Sequence, residues 1–400
     1  MNIMLAKLAT FMLGAVALVA QGQSFFVDLN NGPGTNYTDL QTAIQAVPDG
    51  SSLWVRQGNY PAVTIAGKGL TILGVTSVSL GGLRISNLAA SQTVAVSGIR
   101  FRTDATLDIA NAAGSVVIDG EDSLLNGQGL GILPLRIQAS PQVHLRRFRI
   151  EHGLGDCAAS ISGGSSVVLE SSDLFGSHLV TPELSMVAAP AVRVWDSMLQ
   201  LVETPAAGGN GGVSQMTFGV VVSPGAPGVV ASNAVLRILG NGQWVRGGRD
   251  PAQLGGMRQP AITGTGSVVA DQAIGIDAGP SSTVAFARSA MPRVVATNAP
   301  LGAALSVRRS GPSNVLAALV ASLHGRPWQL PGIPYPVWID AGTMVVDSLG
   351  VVPSSGSLQI ARQVPNVMAL RGLAVTWQVV DLDGVGQVSI SNPSLTLVGY

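Results

Sequence analysis

The chain has 400 residues, and its 22 Lys+Arg balance 22 Asp+Glu, so the formal net charge is zero. That balance gives no electrostatic footprint for nucleic acid or for an anionic membrane. Charged residues are only 11% and hydrophobic ones 46%, with 50 glycines and 23 prolines, which describes a turn-rich, strand-rich chain that spends few residues on helix.

Residues 1–22 read as an export signal. Lys7 is the positive end, Leu8 to Ala20 the apolar core, and Ala20-Gln21-Gly22 a small-x-small site with cleavage before Gln23; cleavage after Ala20 is the alternative. No later window reaches the ~18 apolar residues of a spanning helix, so no membrane span is expected after signal cleavage. The expected location is secreted or cell-surface, and the expected source bacterial. Cys157 is the only cysteine, so no internal disulfide forms, and it does not sit at the leader's end as a lipid attachment site.

Phe25 to Val27 form an expected edge strand, followed by an Asn/Gly/Pro loop. Thr38-Asp39-Leu40-Gln41 fits a capping box with Thr38 as the capping hydroxyl. Leu40, Ala43, Ile44 and Val47 then make one apolar stripe of a short helix that Pro48 and Gly50 end. An amphipathic helix here would cover the first coil of a solenoid, whose open end otherwise exposes unpaired backbone.

Coils are announced by five segments: TVAVSGIRF, SVVIDGEDSL, QVHLRRFRI, SVVLESSDLF and AVRVWDSML. Their first apolar positions, Val94, Val116, Val143, Val167 and Val192, are 22, 27, 24 and 25 residues apart. The partners two places on are Val96, Ile118, Leu145, Leu169 and Val194, and period 2 places each pair on one strand face. A strand recurring every 20-odd residues marks a stacked solenoid. The fold class expected is all-β: a right-handed parallel β-helix over 23–300, followed by a β-sandwich over 301–400. Phe101, Ser123, Ile150, Leu174 and Leu199 are expected to continue the core after a turn.

The rhythm weakens between Glu203 and Pro260. GGNGG, SPGAPG and GGRDPAQLGG read as a Gly-rich insertion or widened turns over about 204–260, with NAVLRILG as one strand inside it. GSVVADQ and STVAFARSAMPRVVATN restore the pattern. The last hundred residues are short strands between Gly/Pro/Asn turns without a fixed repeat, which suits a small antiparallel sandwich.

Two resemblances follow from these residues. Leu40-Gln41-x-Ala43-Ile44-x-x-Val47-Pro48, Trp54-Val55, Gly58-x-Tyr60 and Lys68-x-Leu70-x-Ile72-x-Gly74 resemble the N-terminal module of secreted pectin-lyase-like β-helix proteins, including pectin methylesterases. The resemblance covers roughly residues 25–75 and implies the cap and first turn of that fold. Trp377-Gln378 and Ser391-Asn392 resemble C-terminal modules appended to exported bacterial repeat proteins.

Outward columns carry the candidate chemistry. One column reads Ser97, Asp119, Arg146, Glu170, Trp195, and a second Arg100, Asp122, Arg149, Asp173, Met198. Asp119 and Glu170, two coils apart, would be separated by roughly 9–10 Å, near the about 6.5–9.5 Å of an inverting glycosidase pair. Arg146 between them suits a uronate carboxylate. These three are the catalytic candidates, and Asp122, Arg149, Asp173 and Trp195 the ligand-binding candidates. The plain alternative is an exposed ladder of alternating charges, each pair worth about 0.2–1 kcal/mol.

Family motifs for catalysis are incomplete. Gly325-Arg326-Pro327-Trp328 matches the Gly-Arg-Pro-Trp string of pectin methylesterases, which implies substrate contact for Arg326 and Trp328. Both catalytic aspartate strings of that family are missing, and Ala62 replaces the Glu after Gly-x-Tyr. His152-Gly153 is similar to a polygalacturonase pair but lacks that family's clustered aspartates and Arg-Ile-Lys. Calcium takes 6–8 oxygens, and Asp119, Glu121 and Asp122 face Arg146, Arg147 and Arg149 instead of further carboxylates. With four histidines and one cysteine there is no zinc spacing, so no metal and no cofactor is expected. Cys157 reads as an apolar filler rather than a partner of His152. Trp195 and Trp244 are the rings placed to stack on a pyranose. Thr38, read as the cap, discounts the Asn36-Tyr37-Thr38 glycosylation acceptor.

These features point to an exported, non-catalytic β-helix protein, structural or adhesive, whose partner is a polysaccharide or another cell-envelope component. The alternative is a polysaccharide-active enzyme of the pectate lyase, polygalacturonase or pectinesterase kind.

Overall fold

A computed structural model describes residues 23–127, 132–152, 157–177, 188–216, 219–281, 283–329, 336–367 and 370–398. The leader expected over 1–22 lies outside them. A single parallel sheet of 22 strands winds from Ser24 to Ser289 as a β-helix, and antiparallel sheets follow from Arg293 onward.

Each coil has three sides. Side A stacks Val63–Ala66, Leu83–Ser86, Leu107–Ala110, Leu135–Gln138, Ala159–Ser162 and Val192–Trp195. Side B runs from Ser24–Val27 and Ser51–Val55 through Leu70, Val94, Val116, Val143 and Val167 to Leu199, Leu236 and Val268. Side C takes the far end of the strand Val143–His152, from Phe148 on, and then Asp173–Phe175, Ala206–Ala207 and Trp244–Arg246.

The register corrects the fifth coil. Val167 pairs with Leu199, not Val192, while Val192 pairs with Ala159 on side A. Trp195 therefore leaves the column of Glu170, whose next neighbour is Val202. A bulge at residues 120–122 shifts the second column too: Arg149 pairs with Leu124 rather than Asp122, and Ile150 with Leu125 rather than Ser123. The pairing of Arg149 with Asp173 is the one the sequence spacing predicts.

The N-terminal helix Leu40–Ala46 buries Leu40, Ala43 and Ile44 against the first coil. Its cap is Asp39, not Thr38: the Asp39 carboxylate accepts from Thr42 N at 2.7 Å. Gln41 does not reach back to the cap but exchanges two hydrogen bonds with the Thr64 backbone. Lys68 Nζ donates to the carbonyls of Ile44, Gln45 and Val47, closing the helix's electronegative end.

The corner after each side A strand, including Val229–Ser232 stacked on Val192–Trp195, turns on a left-handed residue: Gly67, Asn87, Asn111, Ala139, Gly163 followed by Gly164, Asp196 and Asn233. Asparagine, aspartate and glycine tolerate that region, whereas alanine has no local compensation. Ala139, at φ 47°, is the misfit. Ala139→Gly is expected to raise unfolding free energy by about 0.5–1 kcal/mol, read from urea denaturation. Beside these corners a hydroxyl ladder runs down the solenoid, with Ser140 N donating to Ser165 Oγ and Ser165 N to Ser197 Oγ, both at 3.1 Å.

The Gly-rich stretch belongs largely to the coils. It contains Ala206–Ala207, Val229–Leu239 and Trp244–Arg246 of the parallel sheet, plus an antiparallel pair, Gly212–Met216 with Gly219–Ser223. Its glycines sit where successive backbones nearly touch. A Cβ on Gly209 would lie 1.7 Å from Ser177 O, and one on Gly248 would lie 1.8 Å from Gly209 O.

The C-terminal region is a sandwich. Arg293–Ala296, Ala304–Ser310 and Ser357–Gln363 form one antiparallel sheet, and Leu316–Gln329 with Ala374–Leu382 centre the other. Val294, Leu305 and Val307 pack against Leu319, Val375 and Trp377 between them.

Candidate functional site

Side B is covered by the sandwich. Ala95 and Val117 pack against Ala374, Leu395 and Leu397, and Val168, Val202 and Leu239 against Met291 and Trp338. The three catalytic candidates lie in this contact, where the sequence pattern predicts an open groove. Asp119 and Glu170 are buried and Arg146 is 8% exposed. Asp119 accepts from Arg147 Nε at 2.6 Å and from Asn298 Nδ2 at 2.8 Å. Arg146 Nη1 donates to Leu395 O at 2.6 Å. Farther along, Arg237 donates to the carbonyls of Ile390 and Ser391.

Glu170 is the centre of the contact. Its Oε2 lies 2.8 Å from His144 Nε2, and its Oε1 accepts from Ser394 Oγ at 2.9 Å. An ionised carboxylate only accepts, so Nε2 carries the proton. Burial alone would push the Glu170 carboxyl up; the His144 hydrogen bond, the Arg146 charge and the Ser394 hydroxyl outweigh it and hold it below its ordinary range. Ser394 and His144 both donate to the glutamate, so this trio ties the coils to the C-terminal sheets.

The remaining candidates are on open faces. Asp122 is exposed at the corner between sides B and C, in the left-handed region at φ 58°. Its neighbour Glu121 is half-buried, and burial raises its carboxyl, with Asp119 and Asp122 adding to the rise against Arg147 and Arg100. Trp195 is half-buried on side A, beyond the ion-paired ladder Arg84–Asp108–Arg136. The string at 325–328 contributes a 40% exposed Trp328 whose Nε1 donates to Ile339 O. Gly153 lies outside the described residues, and Cys157 is buried.

Side C brings Arg149 and Asp173 together with two rings. Phe175 follows Asp173 on its strand, pairs with Ala207 on the next coil, and Ala207 pairs with Arg246 on the one after. Trp244 stands two residues before Arg246 on that strand, and its ring leans diagonally toward Phe175 across the intervening coil, to 6.5 Å between centroids. The Arg149 guanidinium lies 5.4 Å from the Phe175 centroid and that of Arg246 lies 3.7 Å from the Trp244 centroid. Glu151 is held by Arg149 Nε at 2.6 Å. Half-exposed rings flanked by hydrogen-bonding charges suit the apolar face and hydroxyl rim of a sugar. Phe175 is absent from the candidates read in the sequence, although DLF places it outward of the buried Leu174.

Solved structures similar to this chain include two of a phage tailspike protein. One is the enzymatically active domain of bacteriophage CBA120 tailspike protein 2, with TM-score 0.33 and 8% identity over 93% of this chain and 76% of that one. The other is the full-length tailspike protein 2 from an Escherichia coli O157:H7 bacteriophage, with TM-score 0.34 and 9% identity over 93% of this chain and 68% of that one. No family model matches the chain, and no curated protein matches it.

Proposed function

We propose that this is an exported glycan-binding β-helix protein that holds a polysaccharide of the cell envelope along side C. The observation that carries the reading is the pair of half-exposed rings, Phe175 and Trp244, leaning together across successive coils with a guanidinium on each. The likeness of residues 25–75 to secreted pectin-lyase-like proteins fits an extracytoplasmic role. No helix among the described residues is long and apolar enough to cross a membrane.

A glycan array on residues 23–400 tests it. Phe175→Ala and Trp244→Ala should each weaken the best glycan about tenfold, the effect of losing one stacking ring and its contacts. Trp195→Ala on side A should leave binding unchanged. Binding that survives both ring deletions and fails in Trp195→Ala would move the site to side A.

Cleavage of the bound chain is a second reading, favoured by the raised carboxyl of Glu121 beside exposed Asp122. Polyuronate turnover that disappears in Glu121→Gln, with binding retained, would establish it.

A further inference from the structure

We infer that the Trp244 end of side C is a subsite for an acidic sugar, with Arg246, stacked on Trp244, and Arg249 and Arg258 around its anionic group. The inference rests on the glycan-binding reading and adds the class of glycan.

Trp244 and Arg246 are two residues apart on one strand, so both point outward. The strand leads into a loop whose neck is the bridge between Arg249 and Arg258, which draws two more guanidinium-bearing residues to the same end. Arg249 is exposed. Opposing charge is sparse there. Asp277 lies 3.7 Å from Arg258 and is itself 49% exposed. Asp250 is already engaged by Gly225 N and Gln259 Nε2, each at 2.8 Å. Burial lowers the Arg246 guanidinium's pKa, and repulsion from Arg258 and Arg249 adds to the effect against Asp277. Guanidiniums crowded beside an aromatic ring match a carboxylate carried on a pyranose, by fork geometry and by stacking.

Affinity electrophoresis of residues 23–400 in polygalacturonate, and in its fully methyl-esterified form, tests this. Polygalacturonate should bind at least about tenfold more tightly, with the difference shrinking as salt rises. Arg246→Gln should remove most of that difference, and Arg249→Gln, on an exposed side chain, should reduce it. Thermal unfolding of each variant checks that the fold is intact. Equal binding of the two polymers, still dependent on Phe175, would overturn the acidic subsite and leave the glycan-binding reading standing. Loss of binding to every glycan and both polymers in the wild type would overturn both.

Discussion

Glu170→Gln is expected to destabilise the protein by about 3 kcal/mol, because breaking one partner of a buried ionic group strands the others. His144 and Ser394 both donate to this carboxylate, and Arg146 lies in the same contact. The amide keeps the shape but presents one acceptor oxygen where two donors now converge. Urea denaturation should show the loss, and limited proteolysis should cut the sandwich sooner because the deletion falls on the contact between domains. Glycan binding on side C should persist. A loss below about 0.5 kcal/mol, the size of an ordinary surface substitution, would show that the contact does not depend on this carboxylate.

The same group sets a pH dependence. Its folded carboxyl is held below its unfolded value, so its contribution is complete above the unfolded pKa and is lost as pH falls through the folded one. Wild-type stability should therefore drop on acidification more steeply than that of Glu170→Gln. Parallel melting curves against pH in the acid range would exclude this linkage.

The coils were legible because burial repeats with period 2, and valine pairs record it. Which side of a coil a pair occupies was not legible, since sides A and B use the same pattern. Val192 and Val194 look like the successors of Val167 and Leu169, yet they stack on Ala159 and Ile161. The bulge at residues 120–122 was hidden for a related reason: three residues stand opposite the single Arg147, and the two extra ones change register without changing the apolar pattern before them.

The cover over side B left a trace that alternation alone obscured. Val117 and Val168 stand at outward positions, so SVVID and SVVLE are continuous apolar runs, the pattern of strands buried on both faces. Charges in such a column are placed for a partner within the protein. Their partners across the contact, Asn298, Ser394 and Leu395, are 179 to 249 positions away, beyond the reach of any local pattern. Phe175 and Trp244 meet diagonally across an intervening coil, a relation set by coil length.

Gly248→Ala should be among the most damaging single methyl additions at the described glycines, costing more than about 4 kcal/mol, which is beyond the usual range for one substitution. Its Cβ would lie 1.8 Å from Gly209 O and 2.4 Å from Gly209 C, both backbone atoms of the preceding coil. Neither can rotate away, and the Gly248 N–H already donates to Ala226 O at 2.7 Å, so the two coils would have to part. Separation there would also shift the strand Trp244–Arg246 and with it the side C rings. Gly350→Ala is the control, since nothing lies within 4 Å of the position its Cβ would take. Urea midpoints should fall sharply for Gly248→Ala and stay put for Gly350→Ala. If Gly248→Ala unfolds at the wild-type midpoint, the coils are not stacked at the spacing that makes GGNGG and GGR structural.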